Sequence, residues 1–356
     1  MTSDLQALCA VLRGESAGVP SGNARDRLLN QARAHRVDRL VAWRTNQIGD
    51  DLRAEAMLEE VDVRELNRVL AGLESHRIVP LVLKGAALAH THYEESWLRP
   101  RLDSDLLIAG SQREAVIDAL RDLGYTRPPF ISGELVMHQM PFERVGATGQ
   151  VHALDVHWRV ANPQMLANLP GHEELSSRAV TVRVRGQSMR TPCPVDALLL
   201  ACVHRAAHHD LSDELLWLYD IHLVARRFSG REWNDFAALA SRCRVRALCV
   251  DGLRAALRCF YTPVPGDVLT RLTNSAQSAE RSALYLRRGL TPLDRLLADL
   301  RALNYADRIR LLIEHVFPSA QYVTQRYGVR PRALLPFLYL RRLVSGLSRY
   351  YPAASR

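Results

Sequence analysis

The sequence nearly lacks lysine. Of its 47 lysine and arginine residues, only Lys84 is a lysine. A general drift from lysine to arginine explains most basic surface positions, where either residue serves. That drift should spare a position that needs a compact, strongly hydrated ammonium group, because arginine is not an equivalent replacement there. Lys84 is therefore a candidate functional residue.

Other features are missing altogether. No stretch of about 18 uninterrupted apolar residues occurs, which argues against a membrane span. The first ten residues contain Asp4 and show neither the basic start nor the apolar run of a signal peptide. The six cysteines form no C-x-x-C pair, so we interpret them as buried thiols of a reducing compartment and not as a disulfide frame or zinc cluster. These absences predict a cytoplasmic protein.

The length and charge set broad limits. A chain of 356 residues with 47% hydrophobic residues exceeds one average domain, and we expect two or three packed modules. The formal net charge of +9 suits a phosphate-bearing partner but does not identify one.

Periodicity divides the chain into helical ends and a mixed centre. Residues 5–74 show apolar residues three and four apart, which is typical of helices. Residues 78–83 and 106–109 are short apolar strands, and 154–160 alternates between apolar and polar residues as a half-buried strand does. From Val195 onward the pattern is helical again. The predicted fold class is α+β, with a small mixed sheet between two helical regions.

Two aspartates, Asp103 and Asp105, stand at the entrance of the second strand. Two residues apart on an extended segment, they project to the same side of a sheet, and such like charges are unfavourable without a cation. Asp155, on the polar face of the alternating strand, supplies a third carboxylate if that strand lies alongside. Oxygen ligands favour Mg²⁺ or Mn²⁺, and this is the layout that metal-assisted phosphoryl or nucleotidyl transfer needs.

Five neighbours of the aspartates are candidates for binding the nucleotide. Lys84 is a phosphate ligand, a partner of a carboxylate, or an ordinary residue at a strand end. Gly85 serves the turn geometry. Arg99 and Arg101 suit bidentate contact with triphosphate oxygens, although Arg101 is also a candidate for a structural ion pair. His157 shares its strand face with the third aspartate and either hydrogen-bonds to a carboxylate or acts directly.

Three ordered segments carry a resemblance to a known family. They are residues 83–88 (LKGAAL), 98–108 (LRPRLDSDLLI) and 154–159 (LDVHWR). Together they resemble the bacterial "uncharacterised nucleotidyltransferase" family, which belongs to the DNA polymerase β-like nucleotidyltransferase superfamily. The likeness continues in 199–209 and 215–220. The family usually has an apolar residue between the two aspartates, where this chain has Ser104, and we expect that side chain to point away from a metal.

The resemblance implies both an activity and the roles of residues. It implies a nucleotidyltransferase core in residues 76–190, between an N-terminal helical region (1–75) and a C-terminal helical domain (191–356). Asp103, Asp105 and Asp155 match the family's metal-binding and catalytic carboxylates, and Lys84-Gly85 matches the turn that meets the phosphates. The implied cofactor is Mg²⁺ or Mn²⁺, and the implied donor is an NTP such as ATP.

The acceptor is not fixed by the resemblance. A hydroxyl or phosphate group on a small molecule, a peptide, a protein or an RNA end would serve. Because the chain shows no recognisable RNA- or DNA-binding module, a small molecule or peptide is favoured over nucleic acid. The sequence predicts no oligomeric state.

Two other functions remain open at this point. His204, the His-His-Asp run at 208–210 and Asp220 are compatible with a metal-dependent phosphohydrolase of the HD type. A non-catalytic scaffold that binds a nucleotide or tRNA is the other alternative. We favour a plainer interpretation of these histidines, in which they form a polar seam with Trp217 and Asp220 that joins the helical region to the sheet.

Overall fold

A four-stranded mixed sheet forms the centre of the molecule. The computed structural model describes residues 2–15, 22–128, 133–147, 149–207, 214–274, 280–328 and 332–350. The strands are β1 (Leu81–Leu83), β2 (Ser104–Leu107), β3 (Gln139–Val145), β4 (Val151–His157), β5 (Val180–Val184) and β6 (Gln187–Thr191). The large sheet has the order β1-β2-β4-β3, in which β2 and β4 are parallel and both outer pairs are antiparallel. β5 and β6 form a separate antiparallel pair.

Helices surround the sheet. In chain order they are α1 (Ser3–Arg13), α2 (Asn23–Ala34), α3 (Asp38–Arg44), α4 (Asp50–Ser75), α5 (Lys84–Thr91), α6 (Arg113–Asp122), α7 (His172–Arg178), α8 (Pro194–Ala207), α9 (Leu215–Ala225), α10 (Gly230–Arg242), α11 (Arg246–Phe260), α12 (Gly266–Asn274), α13 (Pro292–Ala302), α14 (Tyr305–Val316), α15 (Ala320–Tyr327) and α16 (Leu335–Tyr350). The small mixed sheet between helical regions confirms the α+β prediction.

The three predicted strands are present with shifted bounds, and three further strands were not predicted. β3 is the informative omission. It lies at the edge of the sheet, where a proline can face the open side without loss of a hydrogen bond between strands. In the sequence, however, Pro141 argues against a strand.

The two faces of the sheet have different partners. Val82, Leu106 and Val156 point to one face and pack with buried residues of α4 and α6, such as Leu66 and Val116. The alternate positions of the same strands point to the other face, towards the remaining helices. The alternation of β4 therefore buries its apolar side, as predicted, and directs its polar side to a different environment.

The N-terminal helices contribute to both hydrophobic clusters. Leu8, Leu28 and Leu40, from α1 to α3, belong to the same cluster as Phe236 and Leu253 of the C-terminal helices. The long helix α4 packs in the other cluster, beneath the sheet. The domain boundaries at 75/76 and 190/191 stay predictions.

The cysteines are free thiols, and five of the six are buried, as the sequence predicts. Within the part of the chain that the structure describes, no helix combines the length and the apolar character needed to cross a bilayer.

Candidate active site

Parallel pairing of β2 and β4 brings the carboxylates together. Asp105 lies directly opposite Asp155 in the register, and His157 follows two residues later on the same face of β4. One ligand atom from each of these three residues lies within 4.8 Å of the other two. Asp103 lies outside this group of three, two residues before Asp105.

Asp105 is the buried centre of the cluster, with 5% of its surface exposed. Lys84 Nζ donates a hydrogen bond to its Oδ1 at 2.6 Å, and His157 Nε2 lies 2.8 Å from the same oxygen. Burial alone would raise the pKa of Asp105, but the Lys84 ammonium and the His157 hydrogen bond lower it well below its usual range. Burial and the Lys84 charge lower the pKa of His157, which favours a neutral ring. Asp105 is therefore held as a carboxylate.

The other two aspartates carry the opposite perturbation. The Asp103 side chain reaches solvent on one side. Partial burial on its other side raises its pKa to about 6, and the charges of Asp105 and Asp155 add to this effect. Burial and the Asp105 charge also raise the pKa of the half-buried Asp155. The three carboxylates are thus close enough for their charges to interact, and a proton or a cation relieves their repulsion.

A cation fits the cluster only if carboxylate oxygens remain that accept no hydrogen bond from the protein. Gln139 Nε2 donates to Asp155 Oδ2 at 2.8 Å, and both donors to Asp105 contact its Oδ1. Among the described residues, no donor contacts Asp155 Oδ1, Asp105 Oδ2 or the Asp103 carboxylate. Each aspartate keeps at least one uncommitted oxygen, which is the donor chemistry of a hard divalent cation.

His157 belongs to the group of three residues, but its Nε2 is engaged with a carboxylate oxygen of that group. The ring is 1% exposed, and its Nε2 faces Asp105 Oδ1. This contact fits a residue that orients a carboxylate, which was one of the two roles predicted for it. Direct catalysis by His157 stays a prediction.

The chain geometry at Lys84 explains how its ammonium reaches Asp105. Leu83, the last residue of β1, pairs with Asp105 across the sheet. Lys84 follows with a left-handed backbone (φ 48°), a conformation that is uncommon for a residue other than glycine. Of the three interpretations of Lys84, the geometry shows the carboxylate partner, and contact with a phosphate stays a prediction.

Arg99 lies in a buried ion pair. Its Nη2 is 2.7 Å from Asp220 Oδ2 on α9, its Nε is 3.3 Å from Oδ1, and the pair is 4% exposed on each side chain. Tyr93 Oη donates to Asp220 Oδ1 at 2.7 Å. A Cβ at Gly85 would lie only 2.5 Å from Arg99 Nη1, so the glycine makes room for the guanidinium. In this structure Arg99 is engaged within the protein, and its predicted contact with a triphosphate stays a prediction.

Arg101 also forms an ion pair. Its Nη1 lies 2.5 Å from Glu59 Oε2 on α4, and 5% of its side chain is exposed. Of the two roles predicted for Arg101, the structure shows the ion pair. Its partner is a glutamate 42 residues earlier in the chain.

Two polar residues of the site were missed by sequence reasoning. Gln139 holds Asp155, and Asn162 Nδ2 in turn donates to Gln139 Oε1 at 3.2 Å. Gln139 lies opposite His157 in the register of β3 and β4. The sequence points to Gln139 only if the segment around Pro141 is a strand that pairs with β4.

The structure describes only part of the histidine-rich segment. Residues 208–210, which carry two of the three histidines, lie outside the described residues. Asp220 is committed to Arg99 and Tyr93, and the pair forms a buried link between α9 and the segment before β2. The link includes Asp220 of the predicted polar seam, whereas the role of the histidines in that seam stays a prediction.

Comparison with known proteins assigns a family. A model of the family described as "Uncharacterised nucleotidyltransferase" matches residues 21–261, which is well over half of the chain and includes every site residue above. Among curated proteins, none matches the chain. The chain therefore belongs to the uncharacterised nucleotidyltransferase family.

Proposed function

We propose that the protein is a divalent-metal-dependent nucleotidyltransferase that moves a nucleoside monophosphate from an NTP to an acceptor hydroxyl or phosphate. The observation that carries this proposal is the cluster of Asp105, Asp155 and His157, in which both carboxylates keep an uncommitted oxygen and which Asp103 adjoins in the sequence. It lies beside the chain's single lysine on one face of the sheet. Membership of a nucleotidyltransferase family supports the same activity.

Asp105, Asp155 and Asp103 would hold Mg²⁺ or Mn²⁺. Such an ion, when bound, neutralises phosphate charge and favours deprotonation of an acceptor hydroxyl. Burial, followed by the charge of Asp105, raises the pKa of both Asp103 and Asp155, and a bound cation would offset that repulsion.

The chain's own residues then have distinct tasks. Lys84 and His157 keep Asp105 ionised and fix one of its oxygens, while Gln139 fixes Asp155. The Lys84 ammonium also adds positive charge where the triphosphate would place its negative charge. Asp155 would also help to deprotonate the acceptor.

The transfer is a single displacement at the α-phosphorus. The acceptor oxygen forms a bond to that phosphorus, and the bond to the bridging oxygen breaks. Pyrophosphate leaves with the electron pair, and the acceptor proton passes to Asp155 and then to solvent. Water in place of the acceptor would give NMP and pyrophosphate at a low rate.

This water reaction allows a test before the acceptor is known. Each NTP, labelled at the α-phosphate, is incubated with the protein and Mg²⁺ or Mn²⁺, and NMP and pyrophosphate are measured. We expect Asp103→Asn and Asp155→Asn to weaken Mn²⁺ binding at least about tenfold and to abolish turnover, since each removes one charged ligand. Asp122→Asn, which changes an exposed carboxylate of α6 in the same way, is the matched control.

The outcome that contradicts the proposal is equally concrete. If no NTP binds, and Asp103→Asn changes neither the metal affinity nor the nucleotide affinity, the carboxylate cluster is not a nucleotidyltransferase site. Nucleotide binding with no release of pyrophosphate would instead identify a non-catalytic scaffold.

A further inference from the structure

An apolar cavity opens beside Lys84, between α5 and α8. It encloses about 520 Å³, including its open mouth. Ala87 and Leu88 of α5 form one wall, and Leu200 and Ala201 of α8 form the other. Much of this space is open to solvent, and the part that a water-sized sphere can enter is narrow, about 30 Å³. The lining is mostly apolar, as in pockets that bind small molecules.

Helical spacing produces both walls. The lining residues of α8 are Ala197, Leu200 and Ala201, which share one face at intervals of three and four residues. All three are half-buried, whereas their neighbours Leu198 and Leu199 are fully buried. In the described part of the chain, this apolar stripe of α8 is therefore only partly covered by other residues.

The polar groups of the wall have partners within the protein. Thr91 Oγ1 donates to the carbonyl of Ala87 at 2.7 Å, and Asp220 is paired with Arg99 at the end of the cavity. Because the lining is mostly apolar, the cavity favours an apolar occupant.

Lys84 joins this cavity to the carboxylate cluster. Its side chain lines the cavity, while its Nζ lies 2.6 Å from Asp105 Oδ1. A molecule whose apolar part fills the cavity would thus have its other end next to Lys84 and the carboxylates.

We propose that this cavity binds the apolar part of a small-molecule acceptor and presents the acceptor's hydroxyl at the Lys84 end. The inference rests on the proposed nucleotidyl transfer and names the class of its acceptor, an alcohol with an aliphatic or aromatic body. The hydroxyl oxygen bonds to the α-phosphorus, pyrophosphate leaves, and the hydroxyl proton passes to Asp155.

A series of simple alcohols tests this acceptor class. Primary alcohols from ethanol to hexanol are supplied with ATP and Mg²⁺, and formation of the alkyl ester of AMP is measured. Each added methylene that becomes buried should raise kcat/KM by about fourfold until the cavity is full. Ala201→Phe fills the cavity and should abolish the dependence of kcat/KM on chain length. If that change impairs folding, the smaller change Ala197→Leu should make kcat/KM stop rising at a shorter alcohol. Ala238→Phe adds the same group to an exposed position of α10 and should behave as the wild type.

Two binding measurements separate this inference from the proposed function. The first is the affinity for trinitrophenyl-ATP with Mg²⁺, which we expect to be equal in the wild type and in Ala201→Phe. The second is the shift of the Leu88 and Leu200 methyl resonances on titration with 1-octanol in the absence of nucleotide. We expect saturable shifts in the wild type and in Ala238→Phe, and none in Ala201→Phe.

The possible failures are distinct. Nucleotide binding with unmoved methyl resonances and no dependence on chain length overturns the acceptor site and leaves the proposed function standing. Loss of nucleotide affinity in Ala201→Phe overturns it too, because the cavity would then hold the nucleotide. If the wild type binds no nucleotide, the proposed function fails, and with it the acceptor role of the cavity.

Discussion

The ion pair of Arg99 and Asp220 gives the most discriminating prediction, because the sequence and the structure suggest different roles for Arg99. Both residues are 3% exposed. Asp220→Asn keeps the shape of the side chain but removes its charge, so the guanidinium stays buried without a counter-charge. Breaking a buried pair in this way costs about 3–5 kcal/mol. Arg99 keeps its contact with the Pro100 carbonyl at 3.1 Å, and we therefore expect a loss of about 3 kcal/mol.

A double-mutant cycle assigns this loss to the pair. Arg99→Met alone should also destabilise the protein, because it leaves the Asp220 carboxylate buried and served only by Tyr93. The double variant should lose less than the sum of the two single variants, by at least about 1 kcal/mol, since neither charge is then left alone.

The assay is equilibrium denaturation by urea, followed by circular dichroism, with the KM for NTP measured in parallel. Arg53→Met is the control, since Arg53 and Asp50 form an ion pair with side chains 70% and 96% exposed, and its removal should change the free energy of unfolding by less than about 0.5 kcal/mol. If Arg99→Met is as harmless as the control but raises the KM for NTP, then Arg99 is a triphosphate ligand and the structural reasoning is wrong.

Three further predictions concern single positions. Gly85→Ala should lower the stability by about 1–3 kcal/mol in urea denaturation, because its Cβ would meet a buried guanidinium at 2.5 Å, whereas Gly230→Ala, with open space around it, should not. Lys84→Arg should lower pyrophosphate release by roughly 10²-fold and leave the circular dichroism spectrum unchanged, and activity within a factor of two of the wild type would refute the need for an ammonium. Burial alone would raise the pKa of Glu65, but hydrogen bonds from two arginines and Tyr125 lower it to about 2. A lowered pKa stabilises the fold above the unfolded value of 4.5, and the contribution disappears as the pH falls towards 2, so Glu65→Gln should lower the Tm more at pH 7 than at pH 3.

The parts of the site that the sequence could predict depend on local patterns. The alternation of β4 shows which side of the strand is buried, and it places Asp155 and His157 together without knowledge of the rest of the fold. The spacing of Asp103 and Asp105 likewise predicts one face for both, but Asp103 precedes β2 and is exposed whereas Asp105 is buried. The pattern does not predict which strands are neighbours. The structure shows that β2 and β4 pair in parallel.

The parts that the sequence could not predict depend on contacts between distant segments. Arg99 and Asp220 are 121 residues apart, and their pairing requires α9 to pack beside the segment that precedes β2. Arg101 and Glu59 meet only because α4 lies under the sheet. An arginine next to two aspartates resembles a phosphate ligand in the sequence, and only packing shows that it has a partner within the protein.

These contacts also give a physical reason for the single lysine. Arg99 donates two hydrogen bonds to Asp220, for which the fork of a guanidinium is well suited, and Arg101 donates one to Glu59. Lys84 has a different task, since its ammonium shares a single oxygen of Asp105 with His157 and leaves the second oxygen open. A guanidinium, whose donors are arranged as a fork, would tend to occupy both oxygens and take the place of a cation. Arginine can therefore replace lysine where the charge only forms a structural ion pair. It cannot do so at Lys84, where Asp105 must keep one oxygen free for a cation.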